Sequence, residues 1–176
     1  DYQLELEEIR QGQENYPDRL ELRVGEVRAL AALGRIQEVR GVIEDSLNLK
    51  SRTGTPGGVM LEAAQELRAH GYLNEGQEIA NSAADWYKNR TLDDAESDIY
   101  RSDLALALYI AEQWEKAKAL FKELAEKNPD NVEHKGFLGR LAARGGDREG
   151  ALKISEELQQ VKRPYLFGYH TYCRAC

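Results

Sequence analysis

The sequence predicts an all-α array of antiparallel helix hairpins, and three patterns support that prediction. Apolar residues recur every three or four positions along most of the 176-residue chain, as on one face of an amphipathic helix. Short turn sequences centred on positions 34, 71, 112 and 146 interrupt these stretches at intervals of 37, 41 and 34 residues. Pro17 and Pro129 lie 112 residues apart, which equals the sum of those intervals. Two independent markers therefore indicate one repeating unit of about 34 residues.

The helices are expected in pairs, each pair joined by one of these turns. Residues 2–15 are expected to be the second helix of an incomplete unit, with Leu4, Leu6 and Ile9 as its apolar stripe. The paired helices that follow are expected near 20–33 and 36–49, 57–70 and 74–89, 98–111 and 114–127, and 132–144 and 148–161. Residues 165–176 begin a further first helix. The units of this single array span 1–17, 18–52, 57–90, 98–131, 132–164 and 165–176.

Turn-forming and small residues fit this plan. Gly34, Gly71 and Gly146 can adopt positive φ and so end a first helix, whereas Glu112 stands at the equivalent place in the third unit. Small side chains are expected where neighbouring helices approach most closely. These are Ala63, Ala64, Ala105, Gly139 and Ala151.

Caps and loops separate the helices. Asn74 and Asp147 are suited to cap the helices that follow them, because their side chains can accept from backbone N–H groups. The segments 51–58 and 90–97 are expected to be loops between units, the first rich in glycine and the second acidic. Both lie outside the hairpins, so the array is expected to continue across them.

The third unit resembles the tetratricopeptide repeat. Ala117, Phe121 and Pro129 fall on that family's Ala-x3-Phe…Pro pattern, and Trp114 precedes them at an aromatic position. The family's first Trp is missing from every unit, yet the common spacing extends the resemblance over almost the whole chain. The resemblance implies a right-handed α-α superhelix (solenoid) of tetratricopeptide-like hairpins, in which the first helix of each pair lines a concave groove. It also implies binding of a protein partner.

Composition excludes several classes of protein. The chain has 24 basic and 31 acidic residues, a net charge of −7, which argues against a nucleic-acid backbone binder. No apolar run approaches about 18 residues, so no membrane span is predicted. Because two cysteines and no leader are visible, the expected localisation is cytoplasmic. The chain begins at Asp1 and ends at Cys176 within an apolar stretch, so we expect a piece of a longer protein.

Arginines and apolar side chains alternate on the face that the resemblance assigns to the groove. The residues expected to contact a partner there are Arg28, Leu61, Gln65, Arg68, Leu106, Tyr109, Arg140 and Arg144. Guanidinium groups suit carboxylates, and Arg and aromatic residues are frequent interface anchors, so the expected partner is an acidic-apolar protein or peptide. The alternative is that the arginines only solvate the face, paired with carboxylates on nearby turns. Those carboxylates belong to Glu21, Glu62, Glu66 and Glu133.

No pattern in the sequence predicts catalysis or a cofactor. His170, Cys173 and Cys176 would share one helix face and such residues can ligate zinc, but a fourth ligand is missing and packing explains the cysteines better. Segment 54–58 lacks the lysine of a P-loop, and the acidic residues of 93–98 lack the alternation of a calcium loop. The three histidines have no nucleophile and acid in a familiar local context.

Two other functions remain open from the sequence. The array can be a structural spacer or dimerisation element, because aromatic residues cluster in the last twelve positions and uncovered terminal helices can pair two copies into a homodimer. It can also be the substrate-selecting module of a larger signalling protein or enzyme. Of the three functions, the sequence favours non-catalytic protein–protein interaction.

Overall fold

The computed structural model describes residues 1–49, 54–90 and 97–161, together with Cys173. Within these ranges the chain forms helices and turns without a strand. The helices are α1 (Tyr2–Asn15), α2 (Leu20–Ala32), α3 (Ile36–Ser46), α4 (Pro56–Ala69), α5 (Leu73–Lys88), α6 (Asp98–Ile110), α7 (Trp114–Lys127), α8 (Val132–Arg144) and α9 (Arg148–Gln159). The expected all-α array of hairpins is thereby confirmed. Cys173 is helical, and the rest of the aromatic tail, with His170 and Cys176, lies outside the described residues.

Most helix bounds agree with the sequence within one or two residues, and α3 is the exception. It ends at Ser46, with Leu47 as its C-cap, so the expected end at 49 is wrong. Ser46 is buried and its hydroxyl donates to the Val42 carbonyl at 2.6 Å, a local bond that competes with continuing the helix. No described helix is long and apolar enough to cross a membrane.

One turn geometry joins the two helices of every hairpin. Gly34, Gly71, Glu112 and Gly146 have φ of +70°, +90°, +60° and +80°. The following residue's N–H donates to a carbonyl five residues back, as from Arg35 to Leu30 at 2.9 Å. The same bond has the same length from Tyr72 to Leu67, from Gln113 to Leu108 and from Asp147 to Ala142. This is the Schellman helix end, in which a left-handed residue lets the chain reverse at once.

The helix starts follow the sequence less closely. Asp147 caps α9 as expected, because its carboxylate accepts from the Gly150 N–H at 2.8 Å. Asn74 does not cap α5, which begins at Leu73, one residue earlier. Segment 54–58 is more than a linker. Thr55 accepts from the Gly58 N–H at 3.0 Å and caps α4, whose first residue is proline.

The contacts between helices define an inner face. Within each hairpin the two helices pack together, and α1, α3, α5 and α7 each pack on the first helix of the next hairpin. The first helices α2, α4 and α6 also stack directly on one another, whereas the described second helices α3, α5 and α7 make no comparable contact among themselves. The first three of these hairpins are therefore closer on the first-helix side. We call the exposed side of α2, α4, α6 and α8 the inner face.

Small residues permit this close stacking. Ala63 and Ala64 of α4 and Ala105 of α6 are fully buried, as expected from the sequence. Gly57 is buried at the start of α4, and a Cβ placed there would lie 2.6 Å from ring atoms of Trp86 and Tyr87. The glycine-rich segment thus contributes a close helix contact as well as a connection.

Candidate functional site

The arginines of the first helices α2, α4, α6 and α8 divide into two groups. Arg23 pairs with Glu26 at 3.1 Å, Arg68 pairs with Glu112 at 2.8 Å, and Arg101 pairs with Glu123. Across the described part of the chain, no ion pair is formed by the second group, which comprises Arg28, Arg140 and Arg144. Of the arginines expected to contact a partner, only Arg68 is neutralised by a carboxylate of its own chain.

Two of the unpaired arginines lie on aromatic rings. The Arg144 guanidinium carbon is 4.9 Å from the centre of the Trp114 ring, and its Nε donates to the Tyr109 hydroxyl at 3.3 Å. The Arg140 guanidinium carbon is 4.3 Å from the centre of the Phe137 ring. We call these five residues, from α6, α7 and α8, the arginine ledge. A cation over a ring face is attracted by the ring's electron density and is restrained in position.

The rings beneath the ledge are fixed by the core. Tyr109 contacts Trp114 and Phe137 edge-on, with ring centres 5.3 and 5.0 Å apart. Phe137 stacks on Phe121 at 4.5 Å with 6° between the ring planes, and Phe121 is 1% exposed. The two guanidinium groups therefore rest on a support that packing holds rigid.

The other expected partner-binding residues are spread along the inner face. Arg28 on α2 and Gln65 on α4 are exposed, and Leu106 on α6 is half-buried against the core. Leu61 on α4 is only 4% exposed, so it offers a partner little surface. The structure brings Tyr109, Arg140 and Arg144 together. Leu106 lies on the same helix as Tyr109, whereas the other four expected residues lie on the first two hairpins.

Two residues of the ledge were not identified from the sequence as part of the site. Trp114 follows the third turn, and Phe137 precedes Arg140 by three positions on the same helix. The second spacing was a usable signal, because residues three apart are neighbours on a helix surface. Trp114 and Arg144 are thirty positions apart, so no local pattern could connect them.

A serine and a histidine meet between α6 and α8, and their hydrogen bonds are structural. The Ser102 hydroxyl donates to the Asp98 carbonyl at 2.7 Å and lies 2.9 Å from His134 Nε2. The hydroxyl hydrogen is therefore directed to a backbone carbonyl, and His134 Nε2 also lies 3.4 Å from Asn131 Nδ2. His134 is 3% exposed, and burial lowers its pKa. A general base needs its nitrogen to accept the nucleophile's proton, whereas the Ser102 hydroxyl donates its proton to the Asp98 carbonyl.

A second polar cluster ties the start of α4 to α5 and α6. The Tyr87 hydroxyl donates to Asp103 Oδ2 at 2.9 Å and lies 3.3 Å from Thr55 Oγ1. Burial raises the pKa of Tyr87, so its hydroxyl stays protonated and remains a donor. Burial also raises the pKa of the Asp103 carboxyl, and the Glu133 carboxylate adds to that shift. The cluster thus holds α4, α5 and α6 together.

A buried carboxylate joins α1 to the rest of the array. Glu26 is 4% exposed and accepts from Arg10 Nε at 3.1 Å, Gln13 Nε2 at 2.7 Å and Arg23 at 3.1 Å. Arg10 also donates to Glu38 of α3 at 3.1 Å, and these bonds raise the pKa of its guanidinium. Charged hydrogen bonds thus link α1, α2 and α3.

A cavity of about 390 Å³ lies between α8 and α9, bordered by Gly139, Arg140 and Ala143 and by Cys173 at one end. Cys173 is buried with Val132 and Leu158, and a Cβ placed on Gly136 would lie 2.9 Å from it. This supports a packing role for Cys173. Among the described residues no group of three His, Cys, Asp or Glu side chains is placed to hold a metal ion.

The sequence matches no family model and no curated protein. Among solved structures, the chain is similar to YrrB, described as a TPR protein with an unusual peptide-binding site. The two are 14% identical with a TM-score of 0.49, over 95% of this chain and 81% of YrrB. The peptide-binding site in that description belongs to YrrB.

Proposed function

We propose that this chain is a non-catalytic protein–protein interaction array that holds a peptide or a partner helix on its inner face. One observation supports this most strongly. In a protein of net charge −7, the inner face carries Arg28, Arg140 and Arg144 without a carboxylate to neutralise them within the described residues. An acidic partner would supply the missing anions.

The physical basis of the interaction is a small number of anchors on a rigid support. Hydrogen bonds between a guanidinium and a carboxylate are about twice as strong as neutral ones. Aromatic and Arg side chains carry much of the affinity in interfaces of known energetics. Gln65 and Leu106, on the neighbouring α4 and α6, would add polar and apolar contacts to a segment that extends along the face.

The experiment is a peptide array probed with the wild-type chain and with three charge reversals, Arg28→Glu, Arg68→Glu and Arg140→Glu. We expect acidic-apolar peptides to bind, and Arg28→Glu and Arg140→Glu to weaken binding by about tenfold or more. Arg68→Glu should weaken it less, because Arg68 is already paired with Glu112. Arg40→Glu is the matched control, since Arg40 lies on the second helix α3 and pairs with Glu78 at 2.7 Å.

The outcomes separate the three functions. Binding that is unchanged in the three reversals would refute the inner face as the site. A protein that binds no peptide but has twice the monomer mass in solution would support the dimerisation element. Binding of a substrate of a flanking catalytic domain would identify a substrate-selecting module.

A further inference from the structure

We infer that the arginine ledge is the anchor of this inner face and takes two carboxylates from an acidic partner segment, one at Arg140 and one at Arg144. The inference rests on the proposed function and names the chemistry that the partner must present.

Both guanidinium groups have hydrogen-bonding capacity that the protein does not use. Arg140 Nε is enclosed without a hydrogen-bond partner and the group's face is covered by Phe137, so a carboxylate can approach only the terminal Nη edge of this half-buried side chain. Arg144 has its face on Trp114, and within the described residues its side chain donates one hydrogen bond, the long contact with the Tyr109 hydroxyl. A guanidinium has five N–H donors in its plane. Stacking blocks the face and leaves the edge, which is the side that binds a carboxylate through two parallel bonds.

The backbone positions of the two arginines guide the choice of anion spacing to be tested. Arg140 and Arg144 are one turn apart on α8, which is about 6 Å along the helix axis. Carboxylates four residues apart on a helix, or two apart on an extended strand, have nearly this separation. Separate rings hold the two guanidinium groups apart, and each planar fork matches a planar carboxylate. Two side-chain carboxylates fit this arrangement better than one compact phosphate.

The stacking distinguishes the ledge from other unpaired arginines nearby. Arg148 begins α9, four residues after Arg144, and is exposed, and no aromatic ring of the described residues lies within cation–π distance of it. It must lose side-chain freedom to bind an anion, whereas Arg140 and Arg144 are already restrained by their rings. Affinity should therefore concentrate at the ledge rather than follow local charge.

The test uses fluorescence anisotropy with four short labelled peptides of otherwise identical sequence. One carries Glu residues four apart in a helix-forming sequence, one carries Glu residues two apart in an extended sequence, one replaces both Glu by Gln, and one carries a single phosphoserine. The proteins are the wild type, Arg140→Gln/Arg144→Gln, Arg140→Lys/Arg144→Lys, and the control Arg40→Gln/Arg148→Gln, which removes the same charge. Circular dichroism verifies that each variant is folded.

We expect one of the two Glu-pair peptides to bind the wild type about tenfold or more tightly than the Gln peptide. That preference should vanish in Arg140→Gln/Arg144→Gln and fall about threefold to tenfold in the Lys variant, which keeps charge but loses the fork. The control variant should bind the Glu-pair peptides with an affinity within about twofold of the wild type, because each exposed charge contributes little.

Three results would overturn the inference: a Glu preference that survives in Arg140→Gln/Arg144→Gln, an equal loss in the control, or tighter binding of phosphoserine than of both Glu pairs. Failure of the Glu pairs to bind at millimolar concentration would also overturn it. The proposed function is judged separately, by whether Arg28→Glu and Arg68→Glu weaken binding of the protein to the peptide array.

Discussion

The two ends of this array form the same kind of helix–helix contact with different side-chain interactions. At the amino-terminal end, α1 is held on α2 by the buried Glu26 carboxylate and its three donors. Toward the carboxy-terminal end, α6, α7 and α8 meet through Phe121, Phe137 and Tyr109. The turns and the order of packing are alike in both regions. Hairpin geometry is therefore set by the turn and the spacing, and the contact chemistry is free to vary.

The difference follows from how much apolar surface each helix has. Only Leu6 of α1 is buried, whereas α8 buries Val132, Phe137 and Leu141 among others. A short apolar stripe buries too little area to hold a helix by itself, since burial contributes about 25 cal/mol per Å². Charged hydrogen bonds supplement it at α1, at the cost of sensitivity to pH and salt.

The largest effect is expected from breaking the aromatic contact. Phe121→Ala should lower the free energy of unfolding by about 3 to 5 kcal/mol, because it removes a fully buried ring and leaves a cavity beside Phe137. Urea unfolding followed by circular dichroism measures it. Phe121→Leu, which keeps most of the volume, should cost clearly less. Equal losses in both variants would mean that the ring stacking, and not volume, dominates.

Removing the buried carboxylate should have the next largest effect. Glu26→Ala leaves Arg10 and Arg23 near each other without their shared acceptor, and we expect a loss of about 2 to 3 kcal/mol in the same unfolding measurement. Glu26→Gln keeps an acceptor oxygen and should lose less. Glu38→Gln is the exposed control, and a larger loss there than in Glu26→Ala would contradict the contrast between the two ends.

Acid should weaken the carboxy-terminal region through His134. Burial lowers its pKa below the ordinary 6.5, so as the pH falls below about 6.5 the unfolded chain binds the proton first and stability declines toward the folded pKa. The raised pKa of the Asp103 carboxyl has the opposite effect, because protonation of this buried group at lower pH stabilises the folded protein. His134→Gln should therefore flatten the dependence of urea midpoint on pH between 6.5 and 5.5. An unchanged slope would mean that other groups cause the pH dependence of stability.

The smallest effect concerns the turns. Glu112 has a positive φ, which costs a side chain with a Cβ roughly 1 kcal/mol, so Glu112→Gly should be neutral or stabilising by up to about 1 kcal/mol after losing the exposed pair with Arg68. Gly71→Ala is the reverse change, with no atom within 4 Å of the added Cβ, and should cost about 1 kcal/mol. Thermal unfolding measures both. A loss in Glu112→Gly larger than in Gly71→Ala would show that the pair outweighs the backbone strain.

The sequence was sufficient for the hairpins because their determinants are local. Helix periodicity and a left-handed turn residue operate within a few positions, so even Glu112 could be identified as a turn residue from spacing alone. The Asn74 cap was predicted wrongly because α5 starts one residue earlier, directly after the turn at Gly71.

The candidate site was only partly predictable, since its contacts are long-range. Arg140 and Tyr109 were identified from their helix register, whereas the ring beneath Arg144 comes from Trp114 of another helix. Arg10 and Glu26, sixteen positions apart, form no recognisable pattern. Such pairings depend on how two helices are placed, which the periodicity of each helix does not specify.

The buried Glu26 also determines where α1 sits along its neighbour. With a single fully buried side chain, α1 could slide along α2 by one helical turn, about 5.4 Å, at small cost in apolar contact. The Glu26 carboxylate accepts from donors on both α1 and α2, and only one axial position of α1 satisfies them all. The buried charge therefore fixes the axial register of α1 on α2, which a uniform apolar stripe specifies poorly.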